Sequence, residues 1–175
     1  MTSTGTTATD GLTQERRDLL ESLRLHRSFL TFTAQGLTDE QARLTPTASA
    51  LSIGGLIKHV SATEQGWYDF ATGADGSMAG GEDAEADYAD GFRLREDETL
   101  AGVLAAYDEV AARTDELAAT ADLDVAYPLP PAPWFEPGAT RSVRRVLLHL
   151  IAETAQHAGH ADIIRETIDG QKTMG

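Results

Sequence analysis

The residues best equipped for chemistry lie on one stretch of the chain: His149, Glu153, Gln156, His157 and His160. On an α-helix, at about 100° per residue, they fall within an arc of roughly 100°. They interrupt a run through Val146, Leu147, Leu148, Leu150, Ile151, Ala152, Ala155 and Ala158 that is apolar nearly all round, so this helix is expected to be buried. Burying several unpaired polar groups costs about 1–3 kcal/mol each, and more for a carboxylate, so the stripe needs a partner. Glu153 and His157 are four residues apart, with Cβ atoms about 5–6 Å from one another, and can reach one ion; carboxylate and neutral imidazole both suit a divalent metal. A third donor must come from elsewhere, and His59, mid-helix in the apolar run Leu56-Ile-Lys-His59-Val60, is the candidate. The chain has no cysteine, so any metal must sit on nitrogen and oxygen. Spacing alone also allows a hydrogen-bonded core histidine and an ordinary helical Glu/His pair, and it does not choose between the two readings.

The elements that must position these residues are four long helices. From Thr13, an N-cap, the apolar residues Leu19, Leu20, Leu23, Phe29 and Leu30 recur at helical spacing until Gly36. Thr38 to Gln41 reads as a capping box for a short helix that ends by Thr45, before Pro46. Ser52 caps a helix carrying Ile53, Leu56, Ile57, Val60, Trp67 and Phe70 and stopped by Gly73. Gly73 to Gly91 is glycine-rich and acidic, a solvated loop without the spacing of an EF-hand. Asp97 is the expected cap of a helix running to about Ala121, and Thr140 or Ser142 begins the last one, which continues to Asp169 with Gly170 as its stop. Between them, Asp122 to Ala139 holds five prolines, which argue against regular structure. No strand pattern emerges, and the expected fold is an all-α four-helix bundle with long loops after its second and third main helices. The expected organisation is a flexible tail over residues 1–11, one bundle domain over 12–171 and a C-terminal tail over 172–175.

With 175 residues the chain is long enough to bury a core without covalent staples. A net charge of −14 repels phosphate backbones and anionic lipid, which argues against nucleic acid and membranes as partners. No run reaches the roughly 20 apolar residues of a membrane span, and Met1 to Asp10 lack the basic start and apolar core of a signal peptide, so a cytoplasmic location is expected.

Two segments carry a family resemblance: Leu56-Ile-Lys-His59-Val-Ser-Ala-Thr-Glu64-Gln-Gly-Trp67, and Leu147-Leu-His149-Leu-Ile-Ala-Glu153-Thr-Ala-Gln-His157-Ala-Gly-His160-Ala-Asp-Ile-Ile-Arg165-Glu-Thr-Ile-Asp-Gly170. The chain resembles the DinB/YfiT-like superfamily from its first helix to Gly170. It is closest in character to the actinobacterial DinB-like branch and similar in ligand pattern to mycothiol-dependent maleylpyruvate isomerase. The resemblance implies a bundle of unusual connectivity, often a homodimer, whose core holds a divalent ion, zinc first and nickel or iron next, through His59, Glu153 and His157. It further implies a metal-dependent transferase or isomerase that activates a low-molecular-weight thiol such as mycothiol for attack on a small-molecule electrophile. Three protein ligands leave an open position, the arrangement of catalytic zinc. A composition rich in arginine and poor in lysine fits an organism that makes mycothiol.

Two other functions remain open from sequence: a hydrolase using metal-bound hydroxide with His160 or Glu64 as base, and a non-catalytic scaffold whose polar stripe is satisfied internally. His160 stands where many relatives carry glutamine, which allows a base, a fourth ligand or a hydrogen-bond partner of the ligands. His149, one turn before Glu153, is expected in the core or against substrate, and His26, on the apolar face of the first helix, in the core or lining a pocket. Trp67 is expected near the His59 face as an anchor, Trp134 and Phe135 as cover for the pocket mouth, and Arg165 and Asp162 in pairs made locally on the last helix or with a neighbouring one.

Overall fold

The computed structural model describes residues 11–74, 90–133 and 135–173. Helix α1 spans Gln14–Phe32, with Thr13 Oγ1 accepting from the Arg16 amide. The short α2, Asp39–Arg43, opens on the full reciprocal capping box of Thr38 and Gln41. Helix α3 covers Ile53–Ala71 behind Ser52, whose hydroxyl accepts from the Gly55 amide at 3.2 Å. Helix α4 covers Leu100–Thr120, and its cap is Thr99, two residues beyond the expected Asp97. Asp97 instead pairs with Arg95 on the surface, and the Leu100 amide donates to Asp39 Oδ1 at 2.7 Å, tying α4 to α2. The last helix, α5, runs over Val143–Asp169 from its cap Ser142 to Gly170, which adopts the left-handed conformation at φ 79°.

The stretch before α5 departs from expectation. Strands β1, Ala126–Pro128, and β2, Thr140–Ser142, form an antiparallel ribbon with Tyr127 opposite Arg141. Five nearby prolines do not prevent it, because a two-stranded ribbon consists only of edges, where a missing donor can face outward. Pro128 closes the strand, and the Leu129 amide donates to the Ala139 carbonyl just beyond it.

The long helices form the expected all-α bundle: α1 packs along α5, and α3 packs between α4 and α5. Two apolar clusters fill it. One joins Leu19, Leu20 and Leu23 to Trp67, Phe70, Leu117, Val146, Leu147 and Leu150, and the other joins Leu30 to Ile53, Leu56, Ile57, Val60, Tyr107, Ala158 and Ile164. Each fully buried leucine contributes about 1.5–3 kcal/mol. On every long helix, buried polar residues fall between the two clusters: Arg27 on α1, Glu64 on α3, Thr114 on α4, Thr154 and His157 on α5. The bundle is thus two greasy ends around a polar waist.

Helix α5 is less enclosed than its composition suggests. Leu148 and Ile163 are 48 % and 61 % exposed, and Gln156 is exposed with them, so Gln156 leaves the polar stripe and faces outward. Among the described residues no helix is long and apolar enough to cross a membrane. The expected N-terminal tail, the acidic loop before Gly91 and Trp134 fall wholly or largely outside the described residues.

Candidate metal centre

His59 on α3 and the Glu153/His157 pair on α5 meet at the waist. Glu153 Oε1 stands 3.2 Å from His157 Nε2 and 3.4 Å from His59 Nε2, and the three donor atoms all lie within 4.8 Å of one another. Bonds of about 2.0–2.1 Å at tetrahedral angles set ligand atoms roughly 3.3 Å apart, so the spacing around Glu153 suits one small divalent ion. Both histidine side chains are 11 % exposed and the Glu153 side chain 22 %, which leaves the carboxylate as the open side of the cluster. Hydrogen bonds from His157 and then His59 hold the Glu153 carboxyl well below the usual carboxylate range against the opposing effect of its burial, so it is ionised when the pH is near neutral. One anionic oxygen and two imidazole nitrogens are a donor set for zinc, nickel or iron(II).

The neighbours fix how these groups face. His157 turns Nε2 to Glu153 and Nδ1 to His160 Nδ1, 3.4 Å away. With Nε2 committed to the centre, the proton of His157 belongs on Nδ1 and donates to His160, so His160 supports a donor residue and is not itself one of the three. His59 is stacked by Phe92, ring centroids 3.8 Å apart and planes 19° from parallel, and meets His157 edge-on at 5.0 Å. Thr63, one turn along α3, brings Oγ1 to 3.5 Å from His59 Nε2.

Phe92 was not foreseen from sequence, yet a signal for it exists. It lies on a strap that crosses the start of α3, where a Cβ on Gly55 would overlap the Phe92 carbonyl and one on Gly54 would come to 2.7 Å from Leu94 Cδ2. Two adjacent glycines inside a helix that is otherwise well filled mark such a close crossing. Lys58 anchors the strap by donating to the Arg93 carbonyl at 3.1 Å and pairing with Glu98 at 2.8 Å.

The remaining expected site residues divide. His149 meets the buried Trp67 edge-on at 4.9 Å, and burial pushes its pKa below the ordinary value although Glu153 pulls the other way. His26 is half-buried and packs on Phe29 of its own helix, 6.0 Å between rings. Glu64 is fully buried and has both oxygens bonded to Arg27, which also pairs with Asp115 at 2.6 Å. Arg165 pairs locally on its own helix, with Asp169 at 2.8 Å, and donates to the carbonyls of Thr33 and Gln35, while Asp162 accepts from the Thr173 amide.

A family model described as mycothiol-S-transferase matches residues 18–170, nearly the whole bundle. The chain belongs to the mycothiol-S-transferase family. This DinB-like family agrees with the superfamily resemblance carried by the His59 and Glu153 segments. A search of curated proteins finds no significant match. The three converging donors in this mycothiol-S-transferase family member come from both segments that carried the resemblance, and all lie inside the matched span.

Proposed function

We propose that this chain is a metal-dependent mycothiol S-transferase, with His59 Nε2, Glu153 Oε1 and His157 Nε2 holding one divalent ion, zinc foremost. The observation that carries the proposal is the convergence of those three atoms from two helices at 3.2–3.4 Å around Glu153. A divalent ion bound there supplies Lewis-acid stabilisation of a thiolate near neutral pH.

The nucleophilic sulfur must arrive on a cosubstrate, because the chain has no cysteine. The match to a family described as mycothiol-S-transferase supports mycothiol as that thiol. Without the ion the two histidines keep Glu153 ionised and ready to bind it; His160 orients His157, and Phe92 lies against the His59 ring and shields it from water. The small electrophile approaches from the Glu153 side, the more open face of the cluster. A hydrolase with Glu64 as base gains no support, since that carboxylate is buried and taken up by Arg27.

The test is elemental analysis of tag-free protein, together with transfer of mycothiol to a bimane electrophile. About one divalent ion per chain and metal-dependent conjugation are expected, with both lost in His59→Ala and His157→Ala. Full conjugation by protein stripped of metal would refute the mechanism.

A further inference from the structure

The chain has twelve arginines, and those with half-buried or buried side chains are provided for, with one exception. Arg27 holds Glu64 and Asp115, Arg144 holds Glu15 and Asp124, Arg165 holds Asp169, and Arg16 donates to the carbonyls of Ala118 and Ala121 at 2.6 Å. Arg43 donates to the carbonyls of Arg95 and Glu98. Arg93 and Arg145 have no acidic partner among the described residues but are exposed to water. Arg141 is different. Its Nη1 is buried with no hydrogen-bond partner, and among the described residues no carboxylate pairs with it, although the chain carries 28 acidic residues.

What holds Arg141 is aromatic. Its guanidinium lies 4.7 Å from the Trp67 ring centroid and 5.4 Å from that of Phe135. Such contacts contribute about 0.5–2 kcal/mol each and do not replace a hydrogen bond to the buried nitrogen. The arrangement fixes a cation in place with no carboxylate on it among the described residues, Nη1 closed off and the rest of a half-buried guanidinium open to a ligand.

The position is informative. Trp67 also packs on His149, and Arg141 acts electrostatically on His149, as does Glu153 from the other side. Trp67 thus links the guanidinium to His149, which stands one helical turn before Glu153 of the donor cluster. On its other side, Phe135 is shared with a groove of about 510 Å³ lined mainly by Leu129, Pro130, Pro131, Pro133 and Pro137, with Glu136 as its one acidic residue. A fixed cation beside a mostly apolar groove suits an organic anion with a hydrophobic body, its charge at Arg141 and away from Glu136.

The charge of that anion is also constrained. The first amides of α5 offer nothing further: Val143 donates to the Val125 carbonyl, Arg144 to the Leu123 carbonyl and Arg145 to Ser142 Oγ. Arg145 acts on Arg141 electrostatically but is exposed to water, so one fixed guanidinium faces the groove without a helix terminus behind it, which matches one negative charge, a carboxylate, better than a doubly charged phosphate.

We propose that Arg141 determines substrate specificity by binding a carboxylate carried by the small electrophile, on the Trp67 and His149 side of the donor cluster. The assignment rests on the reading of His59, Glu153 and His157 as the reaction centre, but its test does not. The affinities of hexanoate and hexanamide are measured by NMR on the protein as purified, following the Arg141 Nε–H resonance, and repeated in R141Q and R141K by backbone amide shifts. Wild type should prefer hexanoate by roughly tenfold or more, as one charge-assisted hydrogen bond provides. R141Q should abolish the preference and R141K retain part of it, which also separates loss of charge from loss of fold. Equal affinities in wild type, or a preference that survives R141Q, would overturn the proposal. In parallel, cobalt-loaded protein is titrated with 2-mercaptoethanol and the thiolate charge-transfer band recorded. Absence of that band alongside an intact hexanoate preference would sink the thiol reading of the centre and leave the carboxylate subsite standing.

Discussion

Phe92 lies face to face on the His59 imidazole, 3.8 Å between centroids, and it is carried there by a strap that passes over Gly54 and Gly55 at backbone contact. The strap and the site are therefore one mechanical unit. Gly55→Ala must push the Phe92 carbonyl away, since the new methyl meets backbone with no flexible end to move aside. Stability should fall by about 1–3 kcal/mol, as for overpacking. Metal retention against a chelator should fall with it, whereas Phe92→Ala should weaken retention without the backbone displacement. Urea denaturation with a chelator competition series checks both, and unchanged retention in Gly55→Ala would separate the strap from the site.

Glu64 belongs to the architecture of the waist. It is fully buried, with Arg27 on both oxygens, and Arg27 reaches on to Asp115, so one ion-pair chain joins α1, α3 and α4. Removing one partner leaves a charge buried without compensation, which costs about 3–5 kcal/mol. Glu64→Gln should lower the denaturation midpoint by a corresponding amount while the folded fraction keeps its metal. A catalytic Glu64 would give the opposite pattern: normal stability with lost turnover.

Much of this was legible in the sequence, for reasons that also explain what was not. Thr13, Thr38, Ser52, Ser142 and Gly170 all mark helix ends where expected, because capping is a local interaction. The meeting of Glu153 with His157 followed from a spacing of four, and His59 stood out as a polar residue in an apolar run. Glu64 was harder: five residues past His59 is about 500° of rotation, so the two cannot share a face, and its partner Arg27 lies on another helix. The β1–β2 ribbon was hidden by prolines, and Asp97 and Thr99 are equally good caps two residues apart. Phe92 and Arg141 reach their places through tertiary contacts that no helical period encodes.

Acid should destabilise the metal-free protein in two stages. Burial holds His149 below its ordinary pKa, so the unfolded chain binds more protons there. The stability it contributes is complete above about pH 6.5 and is lost as the pH falls toward the folded value. The hydrogen bonds of His157 and His59 hold Glu153 below its ordinary value, and that contribution is complete above about pH 4.3 and lost on further acidification. Urea midpoints recorded against pH should therefore fall through both windows. His149→Gln should flatten the upper limb and Glu153→Gln the lower one. A profile flat from pH 7 to pH 5 in the parent protein would contradict the first assignment.

His160 is predicted to act only through His157. Its Nδ1 is the atom within reach of His157 Nδ1, on the far side of the ring from Glu153. Losing such a support typically weakens metal affinity by about 10–100-fold without removing a ligand. His160→Ala should show that loss in a competition titration, with one ion still bound per chain at saturation. His160→Gln should recover most of it, because an amide oxygen can accept from the Nδ1–H of His157 as the histidine does. A general base would behave differently: Gln cannot take up the proton, so the rate would fall in both variants while affinity stayed at the parent value.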